Sequence, residues 1–477
     1  MAGSPAPAAP DGRAHKTVDA VQQRIATYAW KLSYADIPPE VVHIIKSRIV
    51  DTMGVLIGGF FGEPCSLGRN VAAAMPNDSG ATVLGTRIKT SPDMAAFVNG
   101  TTSRYLECND VYQWPGSAHG HPSDTVAPVF AAAEYLHSSG RELITAVAVA
   151  YEIYCRIADV FHNVEDFDTT MFGCLGTAAG AGKLFCGSSE QIAHAISMAV
   201  VPNVVLKQIR RGHATMCMNV ASGLAGRAGV FAAMLARSGM EGPHLPFEGK
   251  AGWCAHVAKE KLLLAQPMGG ENAGFRIVDT YLKMRTCMSE MISPVLAAEK
   301  IAPVADPASI ASVVVETNAY AKRAVGTSDN RPIYNPDSRE VADHSIPYVI
   351  AATLLEGTLT PRSFDDAHLW NPALRALLPK IDVQVSEEFS NAYKRHPREH
   401  LARVTVVRSD GKRLVGEAGR DEDALSTPKT DAQISAKFRR LTEDVLGAKR
   451  AAAVLDRLWH LDEISDVAEL PPLLVLV

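Results

Sequence analysis

Residues 107–124 read ECNDVYQWPGSAHGHPSD and carry the densest group of chemically active side chains in the sequence. Two carboxylates, Glu107 and Asp110, precede the histidines His119 and His121 in a loop rich in proline and glycine. Histidines and carboxylates are the side chains that proteins use most often to move protons near neutral pH. This loop is therefore the first candidate for a catalytic site.

The residues that follow the loop predict an apolar helix over residues 126–136. Ser123 or Asp124 would cap its first turn, because short polar side chains accept hydrogen bonds from the free amides there. Free amides at a helix start also favour a bound anion, such as a substrate carboxylate. The residue types alone fit equally well a solvated capping loop whose histidines only hold the turn.

The bulk composition is that of an ordinary globular protein. Apolar residues make up 47% of the 477 residues and charged residues 21%, which allows a large buried core. The net charge of −5 comes from acidic and basic residues mixed along the chain. No nucleic-acid or membrane partner is expected, since there is no basic patch and apolar stretches such as residues 53–61 are too short to span a bilayer.

The eight cysteines lie far apart, and no CxxC pair or Cys/His cluster occurs. We therefore predict no metal ion and no cofactor, and we expect mostly buried thiols in a reducing cytoplasm. Residues 1–16 are rich in Ala, Pro and Gly without the apolar core of a signal peptide. They are expected to form a disordered tail.

The pattern along the chain predicts a mainly α protein. Residues 17–270 are helical almost throughout, and residues 143–161 are apolar nearly all round, which indicates a large helical bundle. Residues 271–425 mix helices with strands, including a hairpin that turns at Asp410 and Gly411. Helical periodicity resumes over residues 426–477, and this tail is expected to return to the first domain.

A glycine-rich run at residues 176–183, GTAAGAGK, invites a phosphate-loop interpretation. Its glycines miss the GxxxxGK[ST] spacing, and Leu184 follows the lysine where Ser or Thr is required. Close packing between helices through small side chains is the better interpretation.

Four motifs in order resemble the MmgE/PrpD family. They are ECND…GHPSD at residues 107–124, RRGHATM at 210–216, PFEGKAGW at 246–253 and ADHSIPYVIAATLLEG at 342–357. Together with the helical tail they extend the resemblance over residues 18–470.

The resemblance implies both a fold and a chemistry. It implies a large all-helical bundle domain with an inserted α+β lid domain, a homodimer, and an active site in the cleft between the domains. The implied activity is that of a cofactor-independent lyase, a dehydratase or decarboxylase that acts on a small di- or tricarboxylic acid. Such an enzyme removes a proton next to a carboxylate and then loses water or carbon dioxide.

The resemblance also assigns site residues. His121 matches the histidine of the Gly-His-Pro-Ser turn and is the expected catalytic acid or base. Glu107 and Asp110 match the ends of the acidic stretch, and Tyr348 matches a tyrosine of the lid that completes the site. Lys283 matches a lysine of the lid that would anchor a substrate carboxylate.

Three positions depart from the pattern of the family. Asp168 and Glu290 stand where histidines are expected, and Met218 stands where a lysine is expected. Asp168 is retained as a catalytic candidate, and Glu290, Ser123 and Arg211 as candidates for binding substrate. Two added carboxylates would repel a tricarboxylate. An isomerase or epimerase on the same scaffold, or a catalytically inactive carboxylate-binding protein, therefore remain alternatives.

Overall fold

The computed structural model describes residues 18–327 and 332–476, and the chain is mainly α-helical. The tail predicted for residues 1–16 lies outside the described residues. The structure begins with a series of packed helices, namely α1 (Ala20–Lys31), α2 (Pro39–Gly59), α3 (Glu63–Ala73), α4 (Pro92–Arg104), α5 (Val126–Tyr135), α6 (Gly140–Val160), α7 (Met171–Phe185), α8 (Ser189–Val200) and α9 (Cys217–Arg237).

Local sequence explains where the principal helices begin. Pro39 occupies the first turn of α2, where a missing amide hydrogen costs nothing. Ser139 and Glu142 form a reciprocal capping box at the start of α6. Helix α6 is buried along almost its whole length, as its apolar sequence predicts.

The glycine-rich run lies inside α7 rather than in a loop. A Cβ atom on Gly180 would lie 2.7 Å from the carbonyl oxygen of Ala146 on α6, so the two helices approach too closely for a larger side chain. The rejection of a phosphate loop is therefore confirmed, and the small residues serve helix packing.

Helix α9 is longer than the apolar stretches from which the sequence predicts that no segment spans a membrane. Among the described residues it is the one helix long and apolar enough to cross a membrane. Of its most apolar 18 residues, 61% are buried in the protein. It packs against α4 and α7, and this packing covers one side of the helix.

The segment with strands follows α9. Its elements are β4 (Thr280–Leu282), α10 (Ile292–Glu299), β5 (Ile310–Thr317), α11 (Ala319–Val325), α12 (Arg339–Ala342), α13 (Ile346–Glu356), α14 (Asp366–Leu369), α15 (Pro372–Leu377), β6 (Ile381–Val385), α16 (Glu387–Tyr393), β7 (Ala402–Arg408) and β8 (Arg413–Ala418). Four strands form one sheet in the order β6-β5-β7-β8, with β5 and β6 parallel. The predicted hairpin joins β7 to β8, and Gly411 at its turn has a positive φ of 83°.

The last helices are α17 (Asp431–Leu446) and α18 (Ala448–Trp459). Helix α17 packs against α2, and Phe438 and Leu446 join the same hydrophobic core as the N-terminal helices. A second core lies almost wholly between residues 287 and 425. These residues are called the α+β segment below, and residues 18–286 with 426–476 are called the helical part.

A short strand pair ties the candidate loop to residues 280–282, which lie shortly before the α+β segment. β1 (Ala81–Thr82) and β2 (Lys89–Thr90) pair with each other, whereas β3 (Asp110–Tyr112) pairs antiparallel with β4. Asp110 stands opposite Leu282, next to Lys283. This pairing brings the loop at residue 107 against Lys283, although 176 residues separate Glu107 from that lysine.

Candidate active site

The candidate loop leaves the end of α4 and turns sharply at Glu107. Glu107 has a φ of 50°, in the left-handed region that non-glycine residues rarely occupy. Its carboxylate is buried between two cations: Lys283 Nζ donates to Oε1 at 2.8 Å, and Arg104 lies 2.6 Å from Oε2. Burial raises the pKa of a carboxyl group, but Arg104 and Lys283 outweigh it and hold the pKa of Glu107 well below its usual value. Glu107 is therefore ionised.

His121 stands beside this carboxylate. Its Nδ1 lies 2.6 Å from the Asp110 carbonyl oxygen, which only accepts hydrogen bonds, so that Nδ1 carries the proton of the neutral ring. Its Nε2 lies 3.7 Å from Glu107 Oε1. Burial, followed by Arg104 and Lys283, lowers the pKa of His121 well below its usual value. The ring is neutral, with a free electron pair on Nε2.

Asp110 and Ser123 hold the loop together. The backbone amide of Ser123 donates to Asp110 Oδ1 at 3.1 Å, and burial raises the pKa of Asp110. The hydroxyl of Ser123 is buried and has no hydrogen-bond partner among the described residues. The structure thus brings Glu107, Asp110, His121, Ser123 and Lys283 together.

Asp124 was not among the predicted site residues, and its placement corrects the expectation that Ser123 or Asp124 caps α5. The helix starts from a 3₁₀ turn with Thr125 at its N-cap position, and no side chain caps it. Both Asp124 oxygens are buried without a hydrogen-bond partner among the described residues, and Arg104 Nε lies 3.5 Å from Oδ1. Burial raises the pKa of Asp124 to about 7.

A cavity of about 460 Å³ opens next to this cluster, between the helical part and the α+β segment. Arg210 and His344 line it, and both lie close enough to Glu107 for their charges to interact. The cationic side chains that line the cavity are Lys207, Arg210, Arg211 and Arg323. Glu165 is the acidic residue of the lining, so cations dominate it.

These four cationic side chains are called the cationic wall below, and Asp168 lies behind it. Its Oδ2 is 2.5 Å from Arg210 Nε and 3.6 Å from Lys207 Nζ, and its Oδ1 accepts from Arg210 at 3.1 Å. Burial opposes ionisation, but Arg210 and Lys207 lower the pKa of Asp168. The charge of Asp168 is therefore paired with two cations, so Asp168 is not expected to repel a tricarboxylate. Arg211 pairs with Glu165 at 2.7 Å.

Two predicted residues do not join the cluster. Glu290 accepts from Gln113 at 2.8 Å and from Ser289 at 2.6 Å, in a buried network outside the cavity lining. The Tyr348 hydroxyl donates to the Ser363 carbonyl at 2.6 Å inside the second hydrophobic core. Tyr348 is thus a residue of the second hydrophobic core and not of the cavity lining.

The motif that contains Tyr348 supplies a different residue to the cavity. His344 lines the α+β side, and its Nδ1 lies 2.6 Å from Asp343 Oδ1. A His preceded by Asp, directly before a helix, is the signal in the sequence that points to it. His119 also lines the cavity. Burial lowers the pKa of its ring to about 3, so the ring is neutral.

Among the described residues, no three His, Cys, Asp or Glu side chains are gathered as a metal site requires. The eight cysteines are free thiols, of which Cys217 is exposed, Cys254 is half-buried and the rest are buried. The prediction of mostly buried thiols is therefore confirmed.

Several known proteins are similar in sequence to this chain over most of its length. Cis-aconitate decarboxylase of Homo sapiens is 25% identical over 476 residues, which cover 95% of this chain and 94% of that protein. 2-Methylcitrate dehydratase of Escherichia coli strain K12 is 26% identical, over 79% of this chain and 82% of that protein. The mitochondrial 2-methylcitrate dehydratase of Yarrowia lipolytica is 26% identical, over 83% and 78%.

Two sequence profiles account for most of the chain. The MmgE/PrpD N-terminal domain matches residues 23–264, and the MmgE/PrpD C-terminal domain matches residues 286–461. The chain belongs to the MmgE/PrpD family.

Proposed function

We propose that the protein is a lyase that acts on a small di- or tricarboxylic acid, either as a dehydratase that removes a proton from the carbon next to a carboxylate and expels water, or as a decarboxylase that releases carbon dioxide and returns a proton to the carbon skeleton. The observation that carries this proposal is the state of His121. A neutral ring whose Nδ1–H is held by a backbone carbonyl presents Nε2 as a base. The names of the relatives, a dehydratase and a decarboxylase, support the same reaction class.

The proton transfer follows from this geometry. His121 Nε2 takes the proton, and the C–H electron pair moves toward the neighbouring carboxylate. Glu107, 3.7 Å away and ionised, stabilises the imidazolium that forms. In dehydration the C–O bond then breaks, and the hydroxide takes up a proton and leaves as water. We propose that His344, which lines the cavity from the α+β segment, assists the leaving group.

The cationic wall suits a substrate with more than one carboxylate. Arg210 and Lys207 are held by Asp168, and Arg323 reaches the cavity from the α+β segment. Such groups bind carboxylates and stabilise the charge that develops on them during proton removal. We assign the anchoring of substrate to these residues, whereas Lys283 donates to Glu107 and to the Cys287 carbonyl and supports the base.

The α+β segment is proposed to act as a lid. The cavity is lined from both sides, with Lys207 and Arg210 in the helical part and Tyr320, Arg323 and His344 in the α+β segment. Closure over a substrate would exclude water and bring both sets of charges onto it.

A homodimer is proposed through an apolar face of the helical part. Val204 and Leu206 lie beside Leu224 and Phe231 of α9 around a surface cavity of about 860 Å³. Leu206 is 60% exposed and Phe231 48%, which is unusual for large apolar side chains gathered on one face. A second copy of the chain would cover them, and Arg211 lies between this face and the active-site cavity.

The reaction is tested by incubating the protein in deuterated water with hydroxy-, amino- and unsaturated di- and tricarboxylates, followed by NMR. Loss of water or carbon dioxide identifies the lyase and its substrate. Deuterium at a stereocentre without elimination identifies an isomerase or epimerase instead. Binding of an acid without any exchange identifies a catalytically inactive carboxylate-binding protein.

The matched variants are His121→Gln and His162→Gln. We expect the first to slow proton exchange by about 100-fold or more, the usual contribution of a positioned base. His162 lines the cavity next to the cluster but is exposed and pairs with Glu260, so its variant should retain activity. Equal rates in the two variants would contradict the role of His121.

A further inference from the structure

A lysine of the C-terminal helix α17 lies beneath the Glu107 loop. Lys437 is 1% exposed, and its Nζ donates to Asp51 Oδ1 on α2 at 2.6 Å and to the Cys108 carbonyl at 2.7 Å. Cys108 directly follows Glu107 in the chain. One buried ammonium group therefore joins α17, α2 and the loop that carries the candidate site.

The loop needs such support because of the backbone of Glu107. A non-glycine residue in the left-handed region is strained and persists only where its surroundings hold it. The two carbonyl groups that flank Glu107 are both held by side chains from distant segments. The Thr286 hydroxyl donates to the Leu106 carbonyl, and Lys437 donates to the Cys108 carbonyl.

We infer that Lys437 is a positioning residue, whose ammonium group, anchored by Asp51, holds the Cys108 carbonyl and thereby directs the Glu107 carboxylate toward Lys283 and His121. The inference rests on the proposed function, since it concerns the shape of the site that we propose to be catalytic. It gives the C-terminal helix a part in the reaction, although that helix supplies no group to the cavity lining.

A neighbouring ion pair shows what a purely structural role looks like. Lys46 Nζ lies 2.7 Å from Asp462 and also links α2 to the C-terminal part of the chain. Unlike the pair of Lys437 and Asp51, it has no bond to the Glu107 loop. It therefore provides a matched control for the loss of an ion pair between the same two parts of the fold.

The test is the double variant D51N/K437M, compared with the control K46M/D462N. Both charges are removed together, because a single buried charge left without its partner is strongly destabilising. The glutamate carboxyl carbons are labelled with ¹³C, Glu107 is assigned with E107Q, and its titration is followed by NMR. We expect the pKa of Glu107 to rise in D51N/K437M, as the carboxylate moves from Arg104 and Lys283, and to stay unchanged in the control.

The second readout is the rate of proton exchange with the substrate found for the wild-type protein. We expect D51N/K437M to lower kcat on the order of 10–100-fold with a smaller change in KM, because the base and its carboxylate lose their alignment. A folded D51N/K437M in which Glu107 titrates as in the wild type overturns the inference, whatever its activity. A wild type that exchanges no acid, combined with a raised pKa of Glu107 in the variant, overturns the proposed function and supports the inference.

If D51N/K437M does not fold, the conservative variant K437R serves in its place. Its guanidinium keeps the ion pair with Asp51, but its larger head group displaces the Cys108 carbonyl. The pKa of Glu107 is again expected to rise, and an unchanged titration in folded K437R overturns the inference.

Discussion

At the scale of single residues, the Glu107 carboxylate lies between Arg104 and Lys283. His121 of the Gly-His-Pro-Ser turn lies beside this carboxylate, with its Nε2 3.7 Å from Glu107 Oε1. Asp124 is missed because its position before a helix favours a capping role, whereas its environment depends on Arg104, Asp110 and Arg210 from other segments. Only the folded chain brings these charges together.

Asp124 makes the stability of the protein depend on pH. Its pKa of about 7 in the folded state exceeds the usual value, so its stabilising contribution is complete below about pH 4 and is lost as pH rises to 7. Between pH 5 and 7.5 we expect the free energy of unfolding of the wild type to fall by about 2–3 kcal/mol relative to that of Asp124→Asn. Urea unfolding of both proteins at the two pH values measures this difference. A difference that does not vary with pH would contradict the raised pKa.

Asp168 is expected to act on substrate binding rather than on proton transfer. Asp168→Asn removes the charge that orients Arg210 and Lys207, so KM should rise about 10-fold or more while kcat changes less. Steady-state kinetics with the substrate identified by NMR measures both constants. Glu165→Gln is the control, since the Glu165 side chain is 83% exposed where it meets Arg211 and its loss should change KM little.

At the scale of elements, the sequence pattern predicts strand pairs whose two strands are neighbours in the chain. The β7–β8 hairpin is predicted from its turn at Asp410 and Gly411, and the structure has it. The pairing of β3 with β4 is not predictable, because each strand has three residues and they lie far apart in the chain. That pairing is what places Lys283 beside Glu107, so the most informative contact of the site is also the least local.

The packing of α6 on α7 gives a test at the same scale. Gly180→Ala would place a Cβ atom 2.7 Å from the Ala146 carbonyl, and we expect a loss of about 1–3 kcal/mol from the overpacking. Gly182→Ala in the same helix is the control, because its nearest neighbour would lie 3.5 Å away. There the better helix propensity of alanine should leave the protein unchanged or more stable by about 1 kcal/mol. Chemical unfolding of the two variants compares them, and equal stability would refute the close approach.

At the scale of the whole molecule, the apolar face of α17 predicts that the C-terminal helices pack on another helical surface. The structure places α17 against α2, where Phe438 is buried. The cavity between the helical part and the α+β segment is not predictable from the sequence pattern. Its lining comes from six separate stretches between Gly116 and His344, and only the tertiary fold shows that the charge of Asp168 is paired with Arg210, one of the lining residues.

The proposed homodimer would form through the apolar face around Leu224 and Phe231. A charge in a buried interface is costly, so the double variant L224E/F231E should be a monomer under conditions where the wild type is a dimer. Analytical ultracentrifugation measures the two states. Val415→Glu, an equally exposed apolar position on β8, is the control and should remain dimeric.

Cys217 provides an independent readout of the same interface. In the single chain Cys217 is exposed, whereas the other seven cysteines are buried or half-buried. It lines the apolar face. In a dimer formed through this face, its thiol would be covered and would react slowly with a thiol reagent. We expect L224E/F231E to expose Cys217 and to speed its reaction, whereas Val415→Glu leaves the rate unchanged. A wild-type dimer whose Cys217 reacts as fast as in the variant would place the interface elsewhere on the molecule.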